Sequence, residues 1–598
     1  MFQRSRNVIT IAAGFAVVFL VSVLGFWWQG IEKCGPYCWV TSTVGFFVRD
    51  NSLKIDDPNP LIVLARYVAP WVIPFVALLA TIRAYLANFR RDLRGLRASH
   101  QSDHAIVCGI GDIGLLIVEN LRSTGENVVA IDLDDNSANS LTAERLGATL
   151  LKGDATHLPV LLSAGLSGAR IVVVCAGEDA DNVDIALRIK GAVDGETSSR
   201  DKPLLVLVEL RDEWLFGRLI DHDQQALGSA ACEIRLFNTY QNTARLLLQT
   251  IPPPRATAAA IGAFIIVGFG SMGREVARQI LAAAVMPLGQ TARMLIVDRK
   301  AEAMEKQFLA GVAPIAGYAT VKFVAADLDD DAAENWEVVE QILREETPFA
   351  VAVCLPDDRA SLHVAVTMRA LLDRLGETGV PIYMRLGRHL RLGQFAGTME
   401  QRADAPDRLR PFGSMQEILA VDIVVGERLD ALARAYHEHR RSKQPASRQR
   451  EPSWRPWHEL AEQFKMSSRR EADHMTIKLA QAGFTIAEVA SPKIYKFSAA
   501  ELQLLAKLEH RRWTIERLLQ GWKYGEKRDN ALRLNPFLVE WEGLPRQEQR
   551  ANLSALAALP EILALTNREV RRADIAGPRS RRAARQEPAA VEPESARS

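Results

Sequence analysis

Two long apolar runs stand near the start of the chain, and short apolar segments alternating with amphipathic ones fill the rest. Residues 8–28 carry no charge and are long enough to cross a hydrocarbon core of about 30 Å as a helix. Residues 61–82 form a second run broken only by Arg66, which lies near one end and can snorkel; Pro70 and Pro74 predict a kink there. No small-x-small cleavage site follows the first run, and Trp27-Trp28 reads as an interfacial anchor, so a span is favoured over a cleaved signal. The pattern then changes. Short buried strands are predicted at 105–108, 128–131 and 170–175, with a periodic helix over 115–121 after the first. The same order returns at 264–267, 295–297 and 351–354.

Glycines and acids fall where this alternation needs them. The first strand runs into Gly109-Ile-Gly111-Asp112-Ile113-Gly114, and the second ends in Asp132. Gly109 permits a tight turn, Gly111 lets backbone approach a pyrophosphate, and Gly114 allows close helix packing. The pyrophosphate would sit at the helix N-terminus, and Asp132 would accept from a ribose 2′-hydroxyl, which favours NAD. The second set is Gly268-Phe-Gly270-Ser-Met-Gly273 with Asp298, and Asp327 repeats the place of Asp154. Arg299 follows the second acid, which leaves that ligand open. The fold class expected is α/β: two tandem Rossmann-type doubly wound domains over 103–250 and 260–440. A two-helix transmembrane hairpin within 1–100, with spans of about 8–28 and 61–86, would precede them. A linker over 441–452, a small mostly α region over 453–575 and a disordered tail over 576–598 would follow.

Composition narrows the function classes. Lys+Arg number 73 against 72 Asp+Glu, a net charge of +1, so no general nucleic-acid partner is expected. Six cysteines in 598 residues make no disulfide scaffold. Basic residues cluster outside the apolar runs, at Arg4 and Arg6 and at Arg83, Arg90, Arg91, Arg94 and Arg97. This asymmetry predicts an inner (plasma) membrane protein with both termini cytoplasmic and the loop 29–60 extracytoplasmic. Cys34 and Cys38 would then lie on the oxidising side, paired or as free thiols. Cys108, Cys175 and Cys354 end strands and read as buried apolar residues. No catalytic residue and no metal site is assigned. His437-Glu438-His439 lacks the His-Glu-x-x-His spacing and is expected on the solvated face of a helix over 416–441.

Three segments in the first α/β domain resemble the N-terminal NAD-binding domain of Trk-type potassium uptake regulators, also called RCK. They are Gly153-Asp154-Ala155-Thr156, Leu162-Ser-Ala164-Gly165 and Glu178-Asp179-Ala-Asp181-Asn182. The resemblance implies that Asp154 and Ala155 lie beside an adenosine and that Asp179 and Asn182 line the cleft. It also implies NAD or another adenine nucleotide as cofactor, and pairing of the tandem folds into a bilobed unit. Further on, Gly521-Trp522-Lys-Tyr524-Gly525-Glu-Lys-Arg528-Asp529, Asn535-Pro536-Phe-Leu538-Val539 and Leu544-Pro545 resemble the Ryr domain over about 500–570. That resemblance implies a second, nucleotide-like ligand. Trp513, Trp522, Tyr524 and Trp541 can stack a ring and Arg528 can meet a phosphate; the same aromatics can equally be the core of a small helical domain.

Thr43-Val44-Gly45-Phe46 resembles a potassium-channel selectivity filter, but Phe47 stands where the fifth position needs Gly, and an ordinary loop is favoured. The chain is therefore expected to be a membrane-anchored, nucleotide-sensing regulator of ion transport, by resemblance potassium, or a ligand-gated membrane effector. Its expected partners are the lipid bilayer, a nucleotide, further copies of itself and a separate ion transporter. A pore-less tethered regulator is the alternative. An NAD-dependent oxidoreductase has weaker support, since fold does not give function and no Tyr-x-x-x-Lys pair is present.

Overall fold

A computed structural model of the chain describes residues 17–29, 36–47, 57–195, 202–212, 229, 231–253, 262–283, 286–310, 315, 317–329, 332–387 and 409–573. Cys34, the first half of the first apolar run and the tail over 576–598 lie outside them. The chain divides into Met1–Gln101 and Ser102–Ser598.

The first unit packs three helices, Val17–Trp28, Pro36–Phe47 and Pro60–Ser99, around Phe26, Phe46, Ile62, Ala65 and Ala69. Close approach is set by Gly25, where a Cβ would lie 2.9 Å from Ile62 Cγ1. Asn59 caps the long helix by accepting from the amides of Leu61 and Ile62, and its Nδ2 donates to Gly25 O at 2.7 Å. That helix runs unbroken through Pro70 and Pro74 to Ser99, well past the span anticipated over 61–86. Among the described residues one segment, Pro60–Leu79, is long and apolar enough to cross a membrane, with mean hydropathy 2.0. The first run is described only from Val17, as the shorter helix Val17–Trp28, so among the described residues a two-span hairpin does not emerge. Thr43 to Phe46 lie inside a helix rather than in extended backbone. A filter needs extended backbone that turns its carbonyls toward one axis, and helical dihedrals point them along the helix instead.

The second unit holds two parallel six-stranded sheets. The first orders β3-β2-β1-β4-β5-β6, with β1 His104–Cys108, β2 Val128–Asp132, β3 Thr149–Lys152, β4 Ala169–Val174, β5 Leu204–Glu209 and β6 Cys232–Phe237. The second has the same order, β9-β8-β7-β10-β11-β12, with β7 Ala263–Val267, β8 Ala292–Asp298, β9 Ala319–Ala325, β10 Pro348–Val353, β11 Ile382–Arg385 and β12 Leu409–Phe412. This is the doubly wound order, whose crevice opens at the carboxyl ends between the neighbours β1 and β4, or β7 and β10, where the strand order reverses. Every residue of β1 and of β7 is buried, as apolar strands covered on both faces must be. Burial pushes the thiols of Cys108 and Cys354 up to about 12, in keeping with inert core cysteines.

The two folds exchange helices. Thr239–Thr250 follows β6, yet its Ala244, Leu247 and Leu248 pack into the core of the second fold. Leu419 and Val424, beyond β12, pack into the core of the first, and Asn120 Nδ2 donates to Leu419 O at 2.9 Å. The single helix anticipated over 416–441 is instead three, Met415–Ile418, Val421–Val424 and Ala431–Ser442. The second break falls at Gly426 and at Glu427, whose φ of 51° leaves the helical region. His437 is buried rather than solvated: its Nε2 pairs with Arg455 O at 2.7 Å and burial lowers its pKa. The stretch read as a linker forms turns at Arg448–Arg450 and Pro452–Trp454, held back on this helix by Arg441 Nε donating to Trp454 O.

In the C-terminal region Glu462–Gln481 and Ala499–Leu519 pack together, and Phe484–Glu488 pairs antiparallel with Arg568–Arg572. The buried cations Lys478 and Arg512 are both held by Glu509.

Candidate nucleotide site

The glycine loops of the two folds are built alike. Gly109 and Gly268 take φ of 89° and 84°, left-handed values that L side chains rarely adopt. A Cβ on Gly114 would lie 1.9 Å from Gly109 O, and one on Gly273 would lie 2.0 Å from Gly268 O. At Gly111 and Gly270, which precede the helices Asp112–Ser123 and Ser271–Ala282, a Cβ would meet nothing within 4 Å. The open side of each loop therefore faces free space, where a phosphate can approach helix N–H groups. Asp132 Oδ2 accepts from the amide of Ile110 at 2.7 Å, and Asp298 Oδ2 accepts from that of Phe269 at 2.7 Å. Each acid fixes its glycine turn and stands at the end of the second strand.

The remaining residues expected at the first site divide by environment. Asp112 opens the loop helix, and Ile113 packs against the core beneath it. Asp154 accepts from the hydroxyl and the amide of Thr156 at 2.7 and 2.9 Å, and these bonds hold its carboxyl below the usual range. Ala155 beside it is buried. Asp179 Oδ2 accepts from the amide of Arg211 at 2.8 Å and from that of Asp212 at 2.5 Å. Asn182 is fully buried, accepting from Ala176 N and donating to Glu209 O, so it braces the ends of β4 and β5 from within.

The equivalent of Asp179 in the second fold escaped the sequence reading. Asp358 heads the helix Asp358–Arg374 as Asp179 heads Asp179–Gly195, and it accepts from Gly387 N at 2.9 Å. Counting on from Cys354 as from Cys175 would have found it.

A cavity of about 640 Å³ lies between the carboxyl ends of the two sheets. Gly111, Ile113 and Glu209 line it from the first fold, Asp358 and Arg385 from the second. Glu209 is 1% exposed; burial pushes its carboxyl up to about 7, against the pull of Arg211, whose Nε stands 3.6 Å from Oε1. That Oε1 makes no hydrogen bond. Arg385 lies over the ring of Tyr240, 5.8 Å from its centroid, with no carboxylate in ion-pair range among the described residues.

The aromatic group in the C-terminal region does not form one cradle. Trp541 is 5% exposed and sits in the core beside His510. Arg517 lies over both Trp513 and Trp522, at 5.8 and 5.7 Å from their centroids, and Arg528 also lies over Trp522 at 5.9 Å. Tyr524 is 58% exposed and apart.

The TrkA-N domain family matches residues 105–199, and the RyR domain family matches residues 495–571. The voltage-gated potassium channel Kch of Escherichia coli (strain K12) is 33% identical over 94 residues, 15% of this chain and 22% of Kch. An uncharacterized protein of Methanothermus fervidus is 27% identical over 94 residues, 16% of this chain and 15% of its own. The chain thus spans less than a quarter of the length of either relative. Among solved structures, GsuK bound to ADP has 16% identity and a TM-score of 0.37, covering 70% of this chain and 99% of that one. The GsuK channel bound to NAD has 13% identity and a TM-score of 0.37, covering 71% and 85%. Residues 105–199 are a TrkA-N domain and residues 495–571 a RyR domain, joined in one chain by a second parallel α/β fold of the same strand order.

Proposed function

We propose that the chain is a membrane-anchored nucleotide sensor that regulates ion transport without chemistry of its own. NAD or another adenine nucleotide binds the first fold, and the ion is potassium by likeness to Kch. The observation that carries this reading is the open glycine loop at Gly111, with Asp132 poised beside it and the TrkA-N match laid over both. Anchoring in the inner membrane is supported by Pro60–Leu79 and by the exposed Trp27, Trp28, Tyr67, Trp71 and Phe75, a belt of apolar surface that water disfavours and lipid accepts. The helical state of Thr43 to Phe46 favours the pore-less form, in which an oligomer of this chain acts on a separate transporter. A second nucleotide-like ligand belongs to the Trp513–Arg517–Trp522–Arg528 stack of the RyR domain.

The test is Gly111→Val in the detergent-purified full chain. The new side chain enters open space at a backbone φ of −68°, which Val adopts without strain, so the unliganded melting temperature stays put. Stabilisation by NAD, present in the wild type, disappears. Equal stabilisation of both proteins overturns the assignment.

A further inference from the structure

Among the described residues, the cavity between the folds holds two charged groups without hydrogen-bonded counter-charges: Glu209 has Arg211 only at 3.6 Å, and Arg385 has only the Tyr240 ring. One is the Oε1 of Glu209, buried at the end of β5 and without a hydrogen-bond donor. A buried carboxylate oxygen left bare costs free energy in the folded state, so a donor is missing from this place. The other is the guanidinium of Arg385 at the end of β11. It rests on Tyr240, a residue of the helix that follows the first sheet, so a cation of the second fold is held against an element of the first.

These two positions correspond. β5 pairs with β4 so that Val208 faces Val174, and β11 pairs with β10 so that Met384 faces Val353. The next residue in each strand is Glu209 or Arg385, beside Cys175 or Cys354. Equivalent sites on two like folds therefore carry opposite charge and open into one space. Two like ligands, one on each fold, would find unlike partners. One ligand with unlike groups finds both satisfied: hydroxyl or amide donors toward Glu209, and oxygen acceptors toward Arg385. The first fold's loop at Gly111 also lines this space, so a pyrophosphate seated on that loop leads into it. A volume of about 640 Å³ falls within the usual 300–1,000 Å³ of small-molecule pockets, roughly what a second nucleoside half requires.

We propose that the cavity is the distal half of the nucleotide site and that the second fold supplies Arg385 to a dinucleotide seated on the first. The assignment rests on the reading of the first fold as a nucleotide site. A dinucleotide then touches both folds, whereas a mononucleotide diphosphate touches only the first. Discrimination between the two arises from reach into the cavity rather than from the adenine end.

Calorimetric titration of the full chain in detergent tests this with two probes, NAD and ADP, on the wild type, Arg385→Gln, Arg385→Lys and Glu209→Gln. Loss of a charge-assisted contact made only by the distal half weakens NAD about tenfold or more in the two Gln variants, leaves ADP within about twofold, and is partly restored in Arg385→Lys. Unchanged NAD affinity in both Gln variants overturns the assignment. So does an equal loss for NAD and ADP, which would place the effect in the fold as a whole. A wild type that binds ADP but not NAD also overturns it. A wild type that binds neither overturns the underlying reading of the first fold instead.

Discussion

Replacing Glu209 by Gln isolates a cost that the folded chain carries at neutral pH. The carboxyl is 1% exposed, and burial raises it from 4.5 to about 7. Arg211 opposes the rise, Asp179 adds to it, Cys175 packs beside it, and Arg385, Asp357 and Asp358 face the same cavity from the second fold. The unfolded chain releases this proton near 4.5 and the folded chain near 7. Between those values the unfolded state holds fewer protons, so stability falls as pH rises and levels off above the folded value. A gap of about 2.5 pH units corresponds to about 3 kcal/mol. At roughly 2–4 °C per kcal/mol for a cooperative unit of 150–250 residues, that is about 6–12 °C in melting temperature. The assay is differential scanning fluorimetry of the full chain from pH 4.5 to 8.5. Burial lowers the pKa of His104, His437 and His510, which adds a pH dependence of its own, so the quantity read is the difference between Glu209→Gln and wild type at each pH. It should start near zero at pH 4.5 and grow through pH 7 in favour of the variant. A difference constant across the series refutes the reasoning. Pairing this with the NAD titration matters, because the variant is then more stable unliganded and weaker for ligand, the signature of a group kept for binding.

Other consequences concern the frame. Arg245 is buried between Asp430 at 2.8 Å and Asp473 at 2.9 Å, so Arg245→Met leaves Asp473 buried without its cation and Asp430 with Arg469 alone, and should cost about 3–5 kcal/mol in thermal or denaturant unfolding; a loss under about 1 kcal/mol would contradict this. Gly114→Ala drives a Cβ to 1.9 Å from Gly109 O, so it should lower the melting temperature and abolish the NAD response together, unlike Gly111→Val, which should abolish only the response. Trp541→Ala should destabilise by about 3–5 kcal/mol as a core truncation, while Tyr524→Ala should stay within about 0.5 kcal/mol; the reverse order in urea denaturation would move the RyR core elsewhere.

Legibility followed the range of the interaction. Strand 128–131 and its acid were read almost to the residue, as were 105–108 and 264–267, because an apolar run ending in a glycine turn or an acid is a local signal. The glycine loops carried their chemistry in their spacing, and the geometry at Gly109, Gly114 and Asp132 followed from it. β5, β6, β11 and β12 were not placed, nor were Glu209 and Arg385, which matter only because two distant strand ends meet across a cavity. The aromatics show the opposite failure: Trp513, Trp522 and Trp541 share a region of sequence, but Trp541 turns into the core while Arg517 lies over the other two. His437 was assigned to solvent by a helix pattern that ignored the left-handed turn at Glu427, and that turn brings the histidine under Trp454.

The reciprocal exchange of helices gives the cavity its leverage. Thr239–Thr250 grows from the first sheet but packs on the second fold, and from its buried face Arg245 reaches Asp473 of the C-terminal region. Gln279, on the loop helix of the second fold, donates to the same Asp473 at 3.0 Å. Asp430, between the second fold and the RyR domain, is shared by Arg245 and Arg469, and the two guanidinium groups hold its carboxyl well below the usual range. One carboxylate of the C-terminal region is thus bonded to the connecting helix and to the loop helix of the fold it packs on, and these bonds are buried, where geometry changes are costly. The same connecting helix carries Tyr240, which lies against Arg385 at the cavity. A ligand that drew Arg385 off Tyr240 would therefore act on the helix that bonds Asp473 of the C-terminal region.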